Sequence, residues 1–266
     1  MKQLKFLMVA FTLLMGVSFT SCLNDDAGES MYDGIGYVRT VMGSYFIDLY
    51  GNTYHPTMAS VTEMEAQGFK MSGTDLAQIA FKYVEDTPAT KAEGGTFTPQ
   101  DYRIKLVSAI AVDSYSTRYA SSVEDMEAIP ETAPIVTLEP TDNYGQTYKP
   151  WMYGAEMLVL PISWKMENKE EHTMELVYIN DESNESSTEL VFYLRHNKGT
   201  DTKTDVFAVR NKAYDVKQIM SDFKGKHGSY PTTIRIKAKT DMDGAKLPEK
   251  YTDYTIENFK WNPSNQ

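Results

Sequence analysis

A mostly β protein, made of antiparallel barrel or sandwich units, follows from three observations. Apolar residues recur at every second position in a series of short segments, turn residues separate those segments, and no helical pattern alternates with them as a βαβ fold requires. With 266 residues, the chain is long enough to divide its core over two domains.

The first element is not a strand. Lys2 and Lys5 precede a 12-residue apolar run, Phe6 to Val17, and Ser18 to Ser21 are small and polar apart from Phe19. That is the layout of a secretory signal, and the run is too short for a comfortable transmembrane helix. Phe19-Thr20-Ser21-Cys22 resembles a lipobox, with Phe19 where leucine is usual. Residues 1–21 are therefore expected to be removed and Cys22, the single cysteine, to carry the lipid. Each buried methylene contributes about 0.8 kcal/mol, and stable anchoring needs more than one chain. The membrane, through that anchor, is thus the first expected partner. Residues 22–30 form a tether, whose Asn24-Asp25-Asp26 resembles the export signal of surface lipoproteins in certain Gram-negative anaerobes. The expected location is the outer membrane, facing outward.

Loss of residues 1–21 removes two lysines and no acids, taking the net charge from −11 to −13. A chain this acidic is not drawn to nucleic acid or anionic lipid by its average field. It also has no cysteine left for a disulfide, so stability rests on the core.

Residues 31–120 read as the first domain. Gly36 to Met42 and Tyr45 to Leu49 alternate, and Gly51-Asn52 marks a turn. Ser60-Val61-Thr62-Glu63 is a capping box opening a short helix with Met64 on its inner face and Gly68 past its end. In Leu76 to Val84, Ile79, Phe81 and Tyr83 alternate while Leu76, Ala80 and Val84 share a helical face; the period-two aromatics favour a strand. Thr87 to Gly95 is a loop by composition, and Tyr102, Ile104, Leu106, Ile110 and Val112 mark a long strand. The segment 115–134 is polar and weakly patterned, so the domain boundary is expected there.

The second domain is expected over 130–266. Leu158, Leu160, Ile162 and Trp164 share a face, and Pro161 on the other points to an edge or bulge. Met174, Leu176 and Tyr178 follow, then a turn-rich connection over 181–187, then Leu190, Phe192 and Leu194. Val216, Ile219, Met220 and Phe223 form the stripe of one short helix. Ile234, Ile236 and Ala238 alternate with basic residues, and the shift of phase between Ile256 and Phe259 predicts a bulge near Glu257-Asn258.

The lipobox, "YDGIGYVRTVMGSYFIDLYGN" at 32–52, "GFKMSGTDLAQIAFKYVED" at 68–86 and "MLVLPISWKMEN" at 157–168 resemble NigD-like lipoproteins over nearly the whole chain. The resemblance implies an N-terminal OB-like barrel followed by a C-terminal antiparallel β-sandwich. It also implies association with a bacteriocin gene cluster and no established enzymatic role, and it supplies no functional residue beyond the lipidated cysteine.

The residues themselves carry no catalytic signature. His55, His172, His196 and His227 form no H-E-x-x-H, and no second histidine stands at ligand spacing from Glu170-Glu171-His172. Gly43-Ser44 lacks the flanks of a nucleophile elbow. Gly34-Ile35-Gly36 would need glycine at Arg39 for a phosphate loop and reads as a flexible lead-in to the first strand. Asp241-Met242-Asp243-Gly244 fails as a calcium loop because Lys239 and Lys250 fall on ligand positions; it reads as a connection between the last strands. No metal or cofactor is expected.

One segment stands out for binding. "YGQTYKPWMYG" at 144–154 gathers Tyr144, Tyr148, Trp151 and Tyr153 between Gly145, Pro150 and Gly154. Held stiffly, such rings stack on sugar faces or anchor a protein; turned inward, they cap the sandwich. A barrel of OB type offers a second surface for a glycan or protein, nucleic acid being disfavoured by charge. The expected function is a non-enzymatic envelope lipoprotein that binds a protein or glycan. The alternatives are a fimbrillin-like structural subunit and a hydrolase without a recognisable motif.

Overall fold

The computed structural model describes residues 31–84, 99–168, 171–180, 186–202 and 206–261. The signal segment, Cys22, the tether, the 87–95 loop and positions 181–185 of the polar connection lie outside the described residues. The chain divides into two units between Ser114 and Tyr115.

The first unit contains β1 (Gly34–Val41), β2 (Tyr45–Ile47), β3 (Thr53–Pro56), α1 (Met58–Ala66), β4 (Leu76–Tyr83) and β5 (Asp101–Ser116), the last two residues of β5 falling in the second unit. Antiparallel pairs join β1 to β2, β2 to β3, β1 to β4 and β4 to β5, and a parallel β3–β5 pair closes a five-stranded barrel. With the helix between β3 and β4, this is the OB-like barrel. Val38, Phe46, Ala77, Ile79, Phe81, Ile104 and Leu106 fill it, joined by Met64 of α1 and by Phe69 and Met71 beyond the helix. Each Val, Leu, Ile, Phe or Met among them contributes about 1.5–3 kcal/mol on full burial.

β4 is the strand that the sequence favours, whereas the cap of α1 and the role of Gly34 differ from the sequence reading. Leu76 and Ala80 on the outer face of β4 are as buried as Ile79 and Phe81 on the inner one, so a strand buried on both sides imitated a helical stripe. The cap of α1 is Thr57, whose side chain accepts the Ser60 N–H at 3.4 Å; Ser60 is buried inside the helix with its hydroxyl donating to the Thr57 carbonyl. Gly34 serves close packing: a Cβ there would sit 2.5 Å from Cζ of Phe81, whose ring lies across the strand.

The second unit contains β6 (Arg118–Ala120), α2 (Val123–Glu127), β7 (Trp151–Tyr153), β8 (Met157–Met166), β9 (Thr173–Ile179), β10 (Glu189–Asn197), β11 (Val206–Asp215), α3 (Lys217–His227), β12 (Thr233–Ala238) and β13 (Thr252–Ile256). Within this unit β11, β8 and β7 pair side by side in that order, and a five-stranded sheet runs β13-β12-β10-β9-β6. Between them lies one core: Leu158, Leu160, Ile162 and Trp164 of β8 meet Leu190, Phe192 and Leu194 of β10 and Ile234 and Ile236 of β12, with Ile219, Met220 and Phe223 of α3. Pro161 falls just past Val159, the last β8 residue paired with β7, where a missing N–H leaves that partner nothing to lose.

The sandwich is not wholly antiparallel: β10–β12 and β6–β9 are parallel pairs. The chain leaves β10, crosses to β11 and returns through α3 before β12, which is the long connection that parallel neighbours need. Instead of a bulge at Glu257-Asn258, β13 stops at Ile256 and Asn258 turns the chain at φ 55°.

Residues 115–134, expected as a loose boundary, are packed into the second unit. Met126 and Ile129 are buried with Ala120 and Val177. Arg195 reaches the segment from β10, donating to the carbonyls of Ile129 at 3.0 Å and Glu127 at 3.4 Å. The buried Glu131 carboxylate sits 3.3 Å from Arg195 and 3.2 Å from Lys239. A polar sequence concealed this packing because its charges are paired inside.

Candidate functional site

The four aromatic residues of 144–154 do not form one exposed surface. Tyr144 is 83% exposed, Tyr148 and Trp151 are half-buried, and Tyr153 is buried. Trp151 and Tyr153 belong to β7, their rings edge-on at 6.2 Å. Tyr148 is tied down: its hydroxyl donates to Asp142 Oδ2 at 3.0 Å, while Asp142 Oδ1 accepts the Tyr144 N–H at 2.7 Å and the Gln146 N–H at 2.9 Å. Burial alone would raise the Asp142 carboxyl, but these hydrogen bonds outweigh it and hold the group below the usual carboxylate range.

The same hairpin occurs in the barrel. Asp48-Leu49-Tyr50-Gly51-Asn52-Thr53-Tyr54 aligns with Asp142-Asn143-Tyr144-Gly145-Gln146-Thr147-Tyr148, identical at five of seven positions and differing only at Leu49/Asn143 and Asn52/Gln146. Asp48 accepts the N–H of Tyr50 at 2.8 Å and of Asn52 at 2.9 Å and the Tyr54 hydroxyl at 2.9 Å. The glycines share φ, 83° at Gly51 and 84° at Gly145. Tyr148 therefore does in the sandwich what Tyr54 does in the barrel, and the motif is a folding device. An internal repeat search exposes it. On the barrel surface, Tyr45 of β2 and His55 of β3 stack at 5.2 Å.

A cleft of about 360 Å³ opens elsewhere in the second unit, where β11 turns into α3. Its lining takes Ser116, Thr117 and Tyr119 from the segment that leads into β6, and Asp215, Gln218 and Ser221 from the end of β11 and from α3. Its parts are held firmly. Thr117 donates to the Asp215 carbonyl at 2.7 Å, and Asp215 Oδ1 accepts the Lys217 N–H at 2.9 Å. Val216, Ile219, Met220 and Phe223 anchor α3 in the core. The Tyr119 ring, 49% exposed, stands edge-on to Tyr178 at 5.9 Å and 88°. Burial, with the carboxylates of Asp222 and Asp215, raises its phenol above the ordinary value. Gln218 extends its amide to Asp222 at 2.7 Å, and Lys217 pairs with Glu156 at 2.7 Å. Sequence reading passed over the site because its residues lie about 100 positions apart.

Two of the four histidines meet in the interior. His196 Nδ1 donates to the Pro134 carbonyl at 2.9 Å, leaving Nε2 to accept from His172 Nδ1 at 2.8 Å. His172 Nε2 lies 2.9 Å from Asp201 Oδ2, which also accepts the N–H groups of Glu167 and Asn168. Asp241 accepts the Ala245 and Lys246 N–H groups with Oδ2, shaping the β12–β13 connection. Among the described residues no three His, Cys, Asp or Glu side chains are placed to hold a metal ion.

Neither a family model nor a curated protein matches the chain. Solved structures do. A candidate lipoprotein from Bacteroides fragilis aligns at 21% identity and TM-score 0.63, over 86% of this chain and 98% of its own. A candidate toxin-related protein from Parabacteroides distasonis aligns at 13% identity and TM-score 0.51, over 84% and 91%. A NigD-like immunity protein from Bacteroides caccae is also matched, at 13% identity and TM-score 0.46, over 85% and 93%. The first two establish a shared fold, the limit of what such identities carry.

Proposed function

We propose that this chain is a NigD-like lipoprotein, held in the outer membrane through Cys22 and facing the cell surface, that acts as a non-enzymatic binding module. The cleft beside Tyr119 carries the reading: it is preformed on rigid elements, and it offers a fixed aromatic ring beside a few polar groups. The apolar run ending at Cys22 and the lipoprotein-type structural neighbour support the anchor, and the resemblance to NigD-like proteins supports a link with bacteriocin or envelope functions.

Fractionation tests the anchor. Cys22→Ala moves the protein from the membrane to the soluble fraction; continued partition with the outer membrane refutes lipidation. Asp25→Ala with Asp26→Ala retains the lipid but reduces labelling of intact cells by an impermeant reagent. A photo-crosslinking residue at Ser221 tests the module, yielding adducts on intact cells. Absence of any adduct reduces the cleft to surface relief.

A further inference from the structure

We propose that the cleft between Tyr119 and the start of α3 is a saccharide site that seats a neutral hexose ring, an assignment that rests on the binding-module reading above. At about 360 Å³ the space admits one or two pyranose rings. A pyranose has one apolar C–H face and a rim of hydroxyls, each a donor and an acceptor. The cleft presents the matching pair of surfaces.

The apolar surface is the Tyr119 ring. It is half exposed, and the edge-on contact with Tyr178 fixes its plane before any ligand arrives. A stacking ring that is already ordered loses little entropy on binding. The polar surface belongs to the same lining. Asp215 spends Oδ1 on the Lys217 N–H, while Oδ2 has no hydrogen-bond or ion-pair partner among the described residues. That oxygen is placed to accept from one sugar hydroxyl, or from two neighbouring ones. Gln218, Ser116 and Ser221 supply donors and acceptors within the same lining.

Charge selects the neutral ligand. Carboxylates of Asp215 and Asp222 act on the Tyr119 phenol, so an anionic group brought into the cleft meets two like charges. The one lysine of the lining is engaged by Glu156 at 2.7 Å. A phosphate or a uronic acid is therefore disfavoured, whereas hydroxyl groups are not.

The test uses the full-length lipidated protein in a sugar-free detergent, with saturation-transfer NMR against maltose, cellobiose, lactose and diacetylchitobiose, and glucuronate as the charged control. At least one neutral disaccharide binds to the wild type. Tyr119→Ala weakens that binding about tenfold, the worth of one stacking contact, and Tyr119→Phe retains it. Asp215→Asn, which keeps an oxygen for the Lys217 N–H, also weakens binding while the melting temperature holds. Binding that ignores both substitutions, or binding of glucuronate alone, overturns the assignment. So does the absence of any disaccharide binding; adducts at Ser221 would then leave the module reading standing with a different ligand.

Discussion

Acidification should loosen the second unit well before its carboxylates are titrated, through His196. Burial first, then the neighbouring His172, Lys212 and Lys198, push this histidine down from 6.5 to about 4, against the opposing pull of the Pro134 carbonyl. The geometry explains why: a proton added at Nε2 would point at the N–H that His172 already directs there at 2.8 Å. A histidine depressed in the fold favours the folded state in its neutral form. Its contribution is complete above the unfolded value of 6.5 and is lost as the pH falls toward 4. The displacement corresponds to about 3 kcal/mol in all, of which about 2 kcal/mol is gone by pH 5. Urea unfolding followed by tryptophan fluorescence reads this unit alone, because Trp151, Trp164 and Trp261 all lie in it. The comparison is wild type against His196→Asn, which retains a donor for Pro134 and cannot titrate. The variant starts less stable at pH 7 and loses about 2 kcal/mol less than wild type on moving to pH 5. Equal losses in the two proteins would refute a depressed His196.

The other expectations follow from packing. Asp142→Asn lowers the melting temperature by a few degrees, because the amide cannot accept at every site the carboxylate serves. The stability that Asp142 adds is present above the ordinary carboxylate range and is lost only as the pH falls through its lowered value, which a melting series from pH 6 to pH 2 will show. Trp151→Ala costs about 1–2 kcal/mol in urea unfolding, less than a fully buried aromatic, since the ring is half-buried on the edge strand β7; a loss near 4 kcal/mol would make it a core residue. Gly34→Val brings a branched side chain onto the Phe81 ring and costs about 1–3 kcal/mol, and an unchanged midpoint would contradict that contact. Brief proteolysis leaves 118–129 intact; early cleavage there would contradict its docking by Arg195.

The sequence disclosed strands wherever one face met the core and the other met water. In β12 the alternation of Ile234, Ile236 and Ala238 with Arg235 and Lys237 is the pattern of burial itself. It disclosed less where both faces are covered, as in β4, because period two fades when neighbouring positions on both faces are buried, Gln78 among them. It missed β11 for a different reason: Arg210, Asn211 and Lys212 interrupt the apolar run, yet Lys212 is buried, its ammonium 2.8 Å from the Tyr115 hydroxyl and 5.8 Å from the Trp164 ring. A lysine that finds an oxygen and two aromatic faces is tolerated inside, and no propensity scale anticipates that.

The cleft proposed for binding shows the same limit more sharply. Sequence reading favours residues that are conspicuous together, and the aromatic phrase at 144–154 is conspicuous because a hairpin was built there, with Asp142 collecting two N–H groups and a phenol. The twin hairpin at Asp48 shows that this arrangement serves a barrel as well as a sandwich, so its chemistry is indifferent to what either unit binds. What marks the Tyr119 cleft is the opposite property. Its residues are ordinary one by one, and they acquire a common direction only when α3 packs beside β6 and the end of β11. A folding motif is local and repeats; a binding site is assembled from distant segments and occurs once. On that distinction the exposed Tyr144 remains a hairpin tip, and Tyr119, with Asp215 in the same lining, is the aromatic residue on which the proposed ligand should depend.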